Sequence, residues 1–592
     1  MEYDKYRVGP RFPPYADPRD ALRCDTDRHA VALAAHGPAL QFRPMTRDTL
    51  RSTSLAMVLA LAAVGGVECT ASAAPAHAIP GAPARAATRP SLIVLIVIDQ
   101  FRADYLQRFG SQMTGGLARL MRGGAWFTDA HHDHAITETA PGHATLLSGR
   151  FPRSTGIMMN SIGVEDETAP LIANGYGPGA SPRRFLGTTL ADWMRTADGK
   201  TRTLSVSMKD RAAILPNGRA PSDVYWYSPD GRFVTSSFYR KSLPDWVQSF
   251  NDRQVPATYA GKHWTLLLPD SAYHERDSVA IEGAGQQFMF PHLMPTDPFD
   301  AVNLVRASPY MDDITAAFAL AGVRGMELGA TPRTDLLTIS LSTTDLVGHR
   351  YGPDSREIHD QVLRVDRVIG RFLDSLYAMR DSATVTVVLT SDHGVGRIPE
   401  LAATTVTPMP VRVTLESVLP AVRARLRAAG VDTNAFVMEQ NIVQLDRAAF
   451  RRKSLDPDTL LAFFAAAARK EFGVARVDRF RDLLADSAKD VIARRWAHQF
   501  PATVNIEMLI TLTPMSTWGG NVASHGSPYD YDSHVPLIFS GFGVQAGTYR
   551  GFVRTVDVAP TLAALIGVKP AEPIDGMALR HALRTTTGGV SR

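Results

Sequence analysis

The sequence predicts an α/β fold, a mostly parallel central sheet flanked by helices and interrupted by inserted cap regions. Three observations carry this. The apolar run from Leu92 to Ile98 is unbroken and stops at Asp99, as in a strand buried on both faces of a sheet covered by helices. Two further runs of the same kind are "DLLTISLSTTD", reaching Asp345, and "ATVTVVLTSDHG", reaching Asp392 and His393. Between them, "SREIHDQVLRVDRVIGRFLDSLYAM" places apolar residues at three- and four-residue steps, the mark of an amphipathic helix. Strand, helix, strand then makes a parallel crossover.

The elements follow in chain order. Ahead of the first strand, the stretch beginning at Met45 has arginines, an apolar run from about Leu55 to Val67, and small residues at Ala71-Ser72-Ala73 and Ala76-His77-Ala78. That is a secretory signal pattern, with a run short for a membrane span. Residues 1–78 are therefore set aside as an N-terminal extension and signal peptide, and 79–90 as a linker, leaving 91–592 as the folded body. Cys24 and Cys69 are the two cysteines of the 592-residue chain, so the body holds no disulfide and no thiolate metal site.

"TETAPGHATLLSGR", residues 137–150, reads as a helix start, because Pro141 lacks an N–H and suits a first turn. Thr139 is then held at the electropositive end of a helix, where an anion is welcome; an ordinary capping threonine has the same signature. Residues 216–305 are aromatic and turn-rich, and 397–515 hold proline-rich loops and "DTLLAFFAAAARKEFG". Both read as cap insertions. "HVPLIFSGFG" is a fourth strand and "TVDVAPTLAALIG" a closing helix.

Hydrophobic residues make up 45% of the chain, charged residues 21%, and the formal net charge is +4. No long basic run argues for a nucleic acid partner. Ligand sites in open α/β sheets gather at the carboxyl ends of strands, where Asp99, Asp345, Asp392 and His393 stand. Asp345 and His349 share one face of a helical turn. Such N/O donors without thiolate suit zinc at a catalytic site and also fit other divalent ions, although one Asp-x-x-x-His alone also describes a solvated pair.

The order Asp99, Thr139 in "TAPGH", "TTDLVGH", "SDHG" and "SHGSPYDYDSHVPLIF" resembles the alkaline phosphatase superfamily, in its type I phosphodiesterase/nucleotide pyrophosphatase-like branch. The resemblance implies two zinc ions per chain. One would be held by Asp345, His349 and His525, the other by Asp99, Asp392 and His393 with Thr139 as nucleophile; His534 competes with His525 as the third histidine. "GIMMNSIG" and "SMKDRAAILPNG" supply Asn160, Lys209 and Arg211. These resemble the phosphoryl-binding residues of threonine-nucleophile bacterial alkaline phosphatases, whose Lys-x-Arg pair the diesterase relatives lack.

The resemblance thus implies an exported phosphomonoesterase, periplasmic or secreted, working through a phosphothreonine on small phosphate monoesters. It is expected to act as a monomer, with no stable membrane anchor once its signal is cleaved. A phosphodiesterase with the same metals and a silent metal- or phosphate-binding protein are the competing readings. "HHDH" at 131–134 suits either metal binding or packing, His143 a structural role, and the aromatics from Tyr225 to Phe238 either substrate contact or core.

Overall fold

The computed structural model describes residues 88–584 apart from residue 174. The expected signal peptide, the linker up to residue 87, Cys24 and Cys69 lie outside the described residues.

The main sheet has ten strands. Its centre is β1 (Leu92–Ile98), paired in parallel with β6 (Asp335–Leu341) on one side and β7 (Val385–Thr390) on the other. Beyond β6 come β3 (Thr203–Ser207) and β4 (Asp223–Tyr227), both parallel, and then β5 (Phe233–Val234), which is antiparallel to β4. On the far side of β7, β12 (His534–Gly541) runs antiparallel between β7 and β2 (Ala125–His131). β13 (Gly547–Tyr549) and β14 (Val553–Arg554) pair with β2.

Alternation along β1 explains why its run is unbroken. Leu92, Val94, Ile96 and Ile98 enter one core, and Ile93, Leu95 and Val97 enter the other. Both faces are covered, so every position is apolar. The first core is covered by the helix Arg356–Tyr377, whose Ile358, Val362, Val365, Ile369, Phe372 and Leu376 form its buried stripe. The second core takes Leu146 and Leu147 of α1 (Thr139–Ser148) and Leu562 of the closing helix Val558–Ile566.

Two expected regions take a different form. β4 and β5 lie inside the 216–305 stretch yet extend the main sheet, and Tyr225, Tyr227 and Phe233 pack in the same core as β1. Phe238, at the end of that aromatic run, is exposed. The 397–515 stretch carries a second sheet of β8 (Phe436–Glu439), β9 (Ile442–Leu445), β10 (Val474–Arg479) and β11 (Met508–Leu512). This small sheet has its own apolar cluster, with Leu461 and Phe464 from the helix Pro457–Ala468.

Candidate active site

The residues singled out in the sequence come from distant parts of the chain and meet at the carboxyl ends of the parallel strands. Asp99 follows β1, Asp392 and His393 follow β7, and all three are fully buried. β6 ends at Leu341, so Asp345 lies one turn further on, inside α2 (Thr343–Tyr351), with His349 on the next turn of the same face. His525 stands in the loop before β12, and Lys209 caps the short helix Asp210–Ile214 after β3.

Thr139 is the first residue of α1, preceded by Glu138 as N-cap. Gly142 allows the helix to lie against the end of β7: a Cβ there would fall 2.3 Å from the carbonyl oxygen of Asp392. Asn160, in a single turn beyond α1, accepts the N–H of Ala140 on its side-chain oxygen at 2.9 Å. Its own N–H donates to Glu138 at 2.7 Å. The side-chain amide of Asn160 is thus fixed beside the threonine.

Three histidines are oriented alike. The Nδ1 of His349, His393 and His525 bonds the carbonyl of Ala523 at 2.8 Å, Gly394 at 2.9 Å and Thr137 at 2.7 Å. A carbonyl only accepts, so Nδ1 carries the proton and each Nε2 turns a lone pair into the site. His525 Nε2 and His349 Nε2 lie 3.2 Å apart, and Asp345 Oδ1 is 3.3 Å from the latter and 3.7 Å from the former. On the other side, His393 Nε2 is 3.6 Å from both Asp99 Oδ1 and Asp392 Oδ2. Asp99 Oδ1 and His393 Nε2 are buried without a hydrogen-bond partner among the described residues. Converging lone pairs without donors are what a divalent cation satisfies. Donor atoms of Asp345, His393 and His525 form one compact group and those of Asp99, Asp392 and His393 another. His393 therefore belongs to both groups, where the sequence reading gave it to one. His534 lies elsewhere, on β12 against β2.

Lys209 bridges the two groups. Its ammonium is 2.7 Å from Asp99 Oδ2, 2.7 Å from Asp345 Oδ2 and 3.4 Å from the Thr139 hydroxyl oxygen. Burial disfavours the ammonium, yet Asp345 and Asp99 hold its pKa above that of an ordinary lysine. Burial likewise opposes the Asp345 carboxylate, but Lys209 and His349 hold it well below the usual range. Asp99 goes the other way, raised well above it by burial and by Asp392. The Arg211 Nε is buried with no hydrogen-bond partner among the described residues.

Sequence reasoning missed two side chains. Gln100 donates from its side-chain amide to Asp345 Oδ1 at 2.8 Å and from its backbone to Asp392 Oδ1 at 3.1 Å, tying the two donor groups together. Glu138 sets Asn160, as described. His143 bonds Thr139 O and Ser340 and lies 3.1 Å from Asp392 Oδ2, which agrees with a structural role. In "HHDH", His132 bonds Ser391 O and Thr555, Asp133 pairs with Arg494, and His134 meets Gln499.

A sequence model of the type I phosphodiesterase/nucleotide pyrophosphatase family matches residues 93–457. The chain belongs to this family. It is 30% identical over 509 residues to the alkaline phosphatase PafA of Elizabethkingia meningoseptica, covering 82% of this chain and 93% of the relative. The crystal structure of wild-type PafA superposes with a TM-score of 0.77 at 28% identity, covering 84% of this chain and 99% of that one. The same overlap holds for a PafA variant in which a threonine is changed to serine and an asparagine, a lysine and an arginine to alanine. That asparagine follows the threonine by twenty-one positions and the arginine follows the lysine by two, the spacings of Thr139 to Asn160 and Lys209 to Arg211 here.

Proposed function

We propose that this protein is an exported two-zinc alkaline phosphatase that hydrolyses small phosphate monoesters through a phosphothreonine at Thr139. The observation that carries the reading is the Lys209 ammonium beside the Thr139 oxygen, flanked by two sets of histidine and carboxylate donors. The relatives named alkaline phosphatase and the shared spacing of the four substituted PafA residues support it.

The donors fit zinc, because each imidazole is already in the tautomer a metal needs and a carbonyl holds its other nitrogen. Asp345, His349 and His525 would hold one ion, and Asp99, Asp392 and His393, with the Thr139 oxygen, the other. When bound, such ions would lower the pKa of the threonine hydroxyl and draw charge from the departing ester oxygen. The chain's own groups then define the reaction. Thr139 Oγ1 forms a bond to phosphorus as the bond to the ester oxygen breaks. Helix α1, Asn160, Lys209 and Arg211 hold the non-bridging oxygens while their charge redistributes. Water next attacks the phosphothreonine, releasing phosphate and restoring the hydroxyl.

A monoester carries one more negative charge than a diester, so the two added cations favour it. Acid quenching during monoester turnover tests the covalent step. The peptide spanning 137–150 gains a phosphoryl group at Thr139 in the wild type, and Thr139→Ala gives neither modification nor turnover; phosphorylation at another residue contradicts the reading. Among the described residues no helix is long and apolar enough to cross a membrane.

A further inference from the structure

We propose that Arg412 is a positioning residue for the donor group of Asp345, His349 and His525, acting through the loop that carries His525. The inference rests on the zinc reading above and deepens it.

Arg412 belongs to the 397–515 stretch, more than a hundred positions from the backbone it holds. Its Nη1 donates to the carbonyl of Asn521 at 2.6 Å and its Nη2 to that of Val522 at 2.8 Å. Glu400, in the short helix Pro399–Ala402, accepts from Nε at 2.7 Å and from Nη2 at 3.1 Å. A guanidinium carries its N–H donors in a rigid planar fork. One side of the fork is thus fixed by a carboxylate while the other clamps two consecutive carbonyls.

The clamped carbonyls adjoin the histidines. Ala523 follows Val522, is fully buried in a cluster with Val395 and Ile398, and supplies the carbonyl that holds His349 Nδ1 at 2.8 Å. Its own N–H donates to His349 O at 3.2 Å. His525 comes two residues later. Displacing Val522 therefore disturbs the group that sets the His349 tautomer and, three residues on, a proposed ligand itself.

The segment leading to the clamp is open. Thr517 is anchored by backbone bonds, its N–H donating to Val411 O at 3.1 Å and its carbonyl accepting from Val413 at 2.7 Å. Gly519 and Gly520 follow with φ of 29° and 88°, and open space lies where a Cβ would fall on either. Arg412 tethers the far end of this glycine pair. Beyond it, the Gly396 N–H on Ser524 O at 3.0 Å and the bond of His525 to Thr137 O are independent of Arg412, so the clamp tunes the donor group and does not create it.

Zinc retention separates a clamp on the ligands from general support of the fold. The wild type, Arg412→Ala and Arg412→Lys are loaded with zinc, titrated with a competing chelator and counted by native mass spectrometry, with thermal melts of the metal-free proteins in parallel. Both variants should release one zinc ion per chain at roughly tenfold lower chelator concentration, the lower end of what outer partners of metal ligands contribute, while metal-free melting stays unchanged. Lysine keeps the charge but cannot span two carbonyls and a carboxylate, so Arg412→Lys gives the answer even where Arg412→Ala fails to fold. Release equal to the wild type in either folded variant overturns the clamp. Earlier release matched by earlier melting of the metal-free protein overturns it too, as support of the fold alone. A wild type that takes up no zinc contradicts the metal reading itself, a failure distinct from that of Arg412.

Discussion

The ε-ammonium of Lys209 stands 3.4 Å from the hydroxyl oxygen of Thr139. This places a fixed positive charge beside the atom that we assign as nucleophile, where transferring phosphoryl oxygens would gather. Neighbouring side chains hold both groups in place, and substitutions among them separate their roles.

Glu138 acts through Asn160. Its carboxylate accepts the Asn160 N–H at 2.7 Å, and Asn160 in turn accepts from Ala140. Glu138→Ala should lower kcat/KM on a monoester roughly tenfold, the scale of one lost hydrogen bond. In an Asn160→Ala background the same change should cost little. A double-mutant cycle measures this, and strict additivity contradicts it.

Gln100 orients a proposed metal ligand. Its amide donates to Asp345 Oδ1 at 2.8 Å, and outer partners of metal ligands are typically worth about 10–100-fold in affinity. Gln100→Ala should therefore lose zinc to a competing chelator at correspondingly lower chelator concentration. Chelator titration with metal analysis checks it; retention equal to the wild type counts against the role.

Gly142 permits the close approach of α1, the helix that carries Thr139. A Cβ would meet Asp392 O at 2.3 Å, so Gly142→Ala must push α1 away from the end of β7. Overpacking of this kind costs about 1–3 kcal/mol. Urea unfolding should show that loss together with a fall in turnover, because Thr139 moves with the helix.

Asp532 gives a pH dependence. It is buried, and burial pushes its carboxyl up to about 7 although Ser527 donates to it from both N–H and hydroxyl. A carboxyl whose folded pKa is raised favours the protonated fold. Its contribution is complete below the unfolded value near 4 and is lost as pH rises through about 7. Asp532→Asn should flatten the fall in stability between pH 4 and 8. Thermal melts across that range test it, and an unchanged slope argues against it.

The strands and most of the donor set were legible because burial on both faces forces unbroken apolar runs, and their polar stops fall where ligands gather. Leu92–Ile98 with Asp99, and Val385–Thr390 with Asp392 and His393, are the clearest cases. Gln100 and Glu138 were not legible. The importance of Gln100 rests on Asp345, 245 positions away, and no local pattern marks such a pairing. β4 and β5 were hidden because turn-forming residues separate two short strands. The second sheet was hidden because β8 and β9 are four residues each, too short for alternation to register. His534 was an open choice against His525 until the register put it opposite His131.

Whether this site is built for monoesters is decided by kcat/KM on an aryl phosphate monoester and its methyl diester, for the zinc-loaded wild type and a Lys209→Ala, Arg211→Ala double variant. The wild type should prefer the monoester, and the variant should lose monoester turnover by roughly 100-fold or more while keeping most of its diester rate. A wild type that favours the diester, with a variant indifferent to the loss of both cations, would contradict the phosphomonoesterase reading and make the protein a phosphodiesterase.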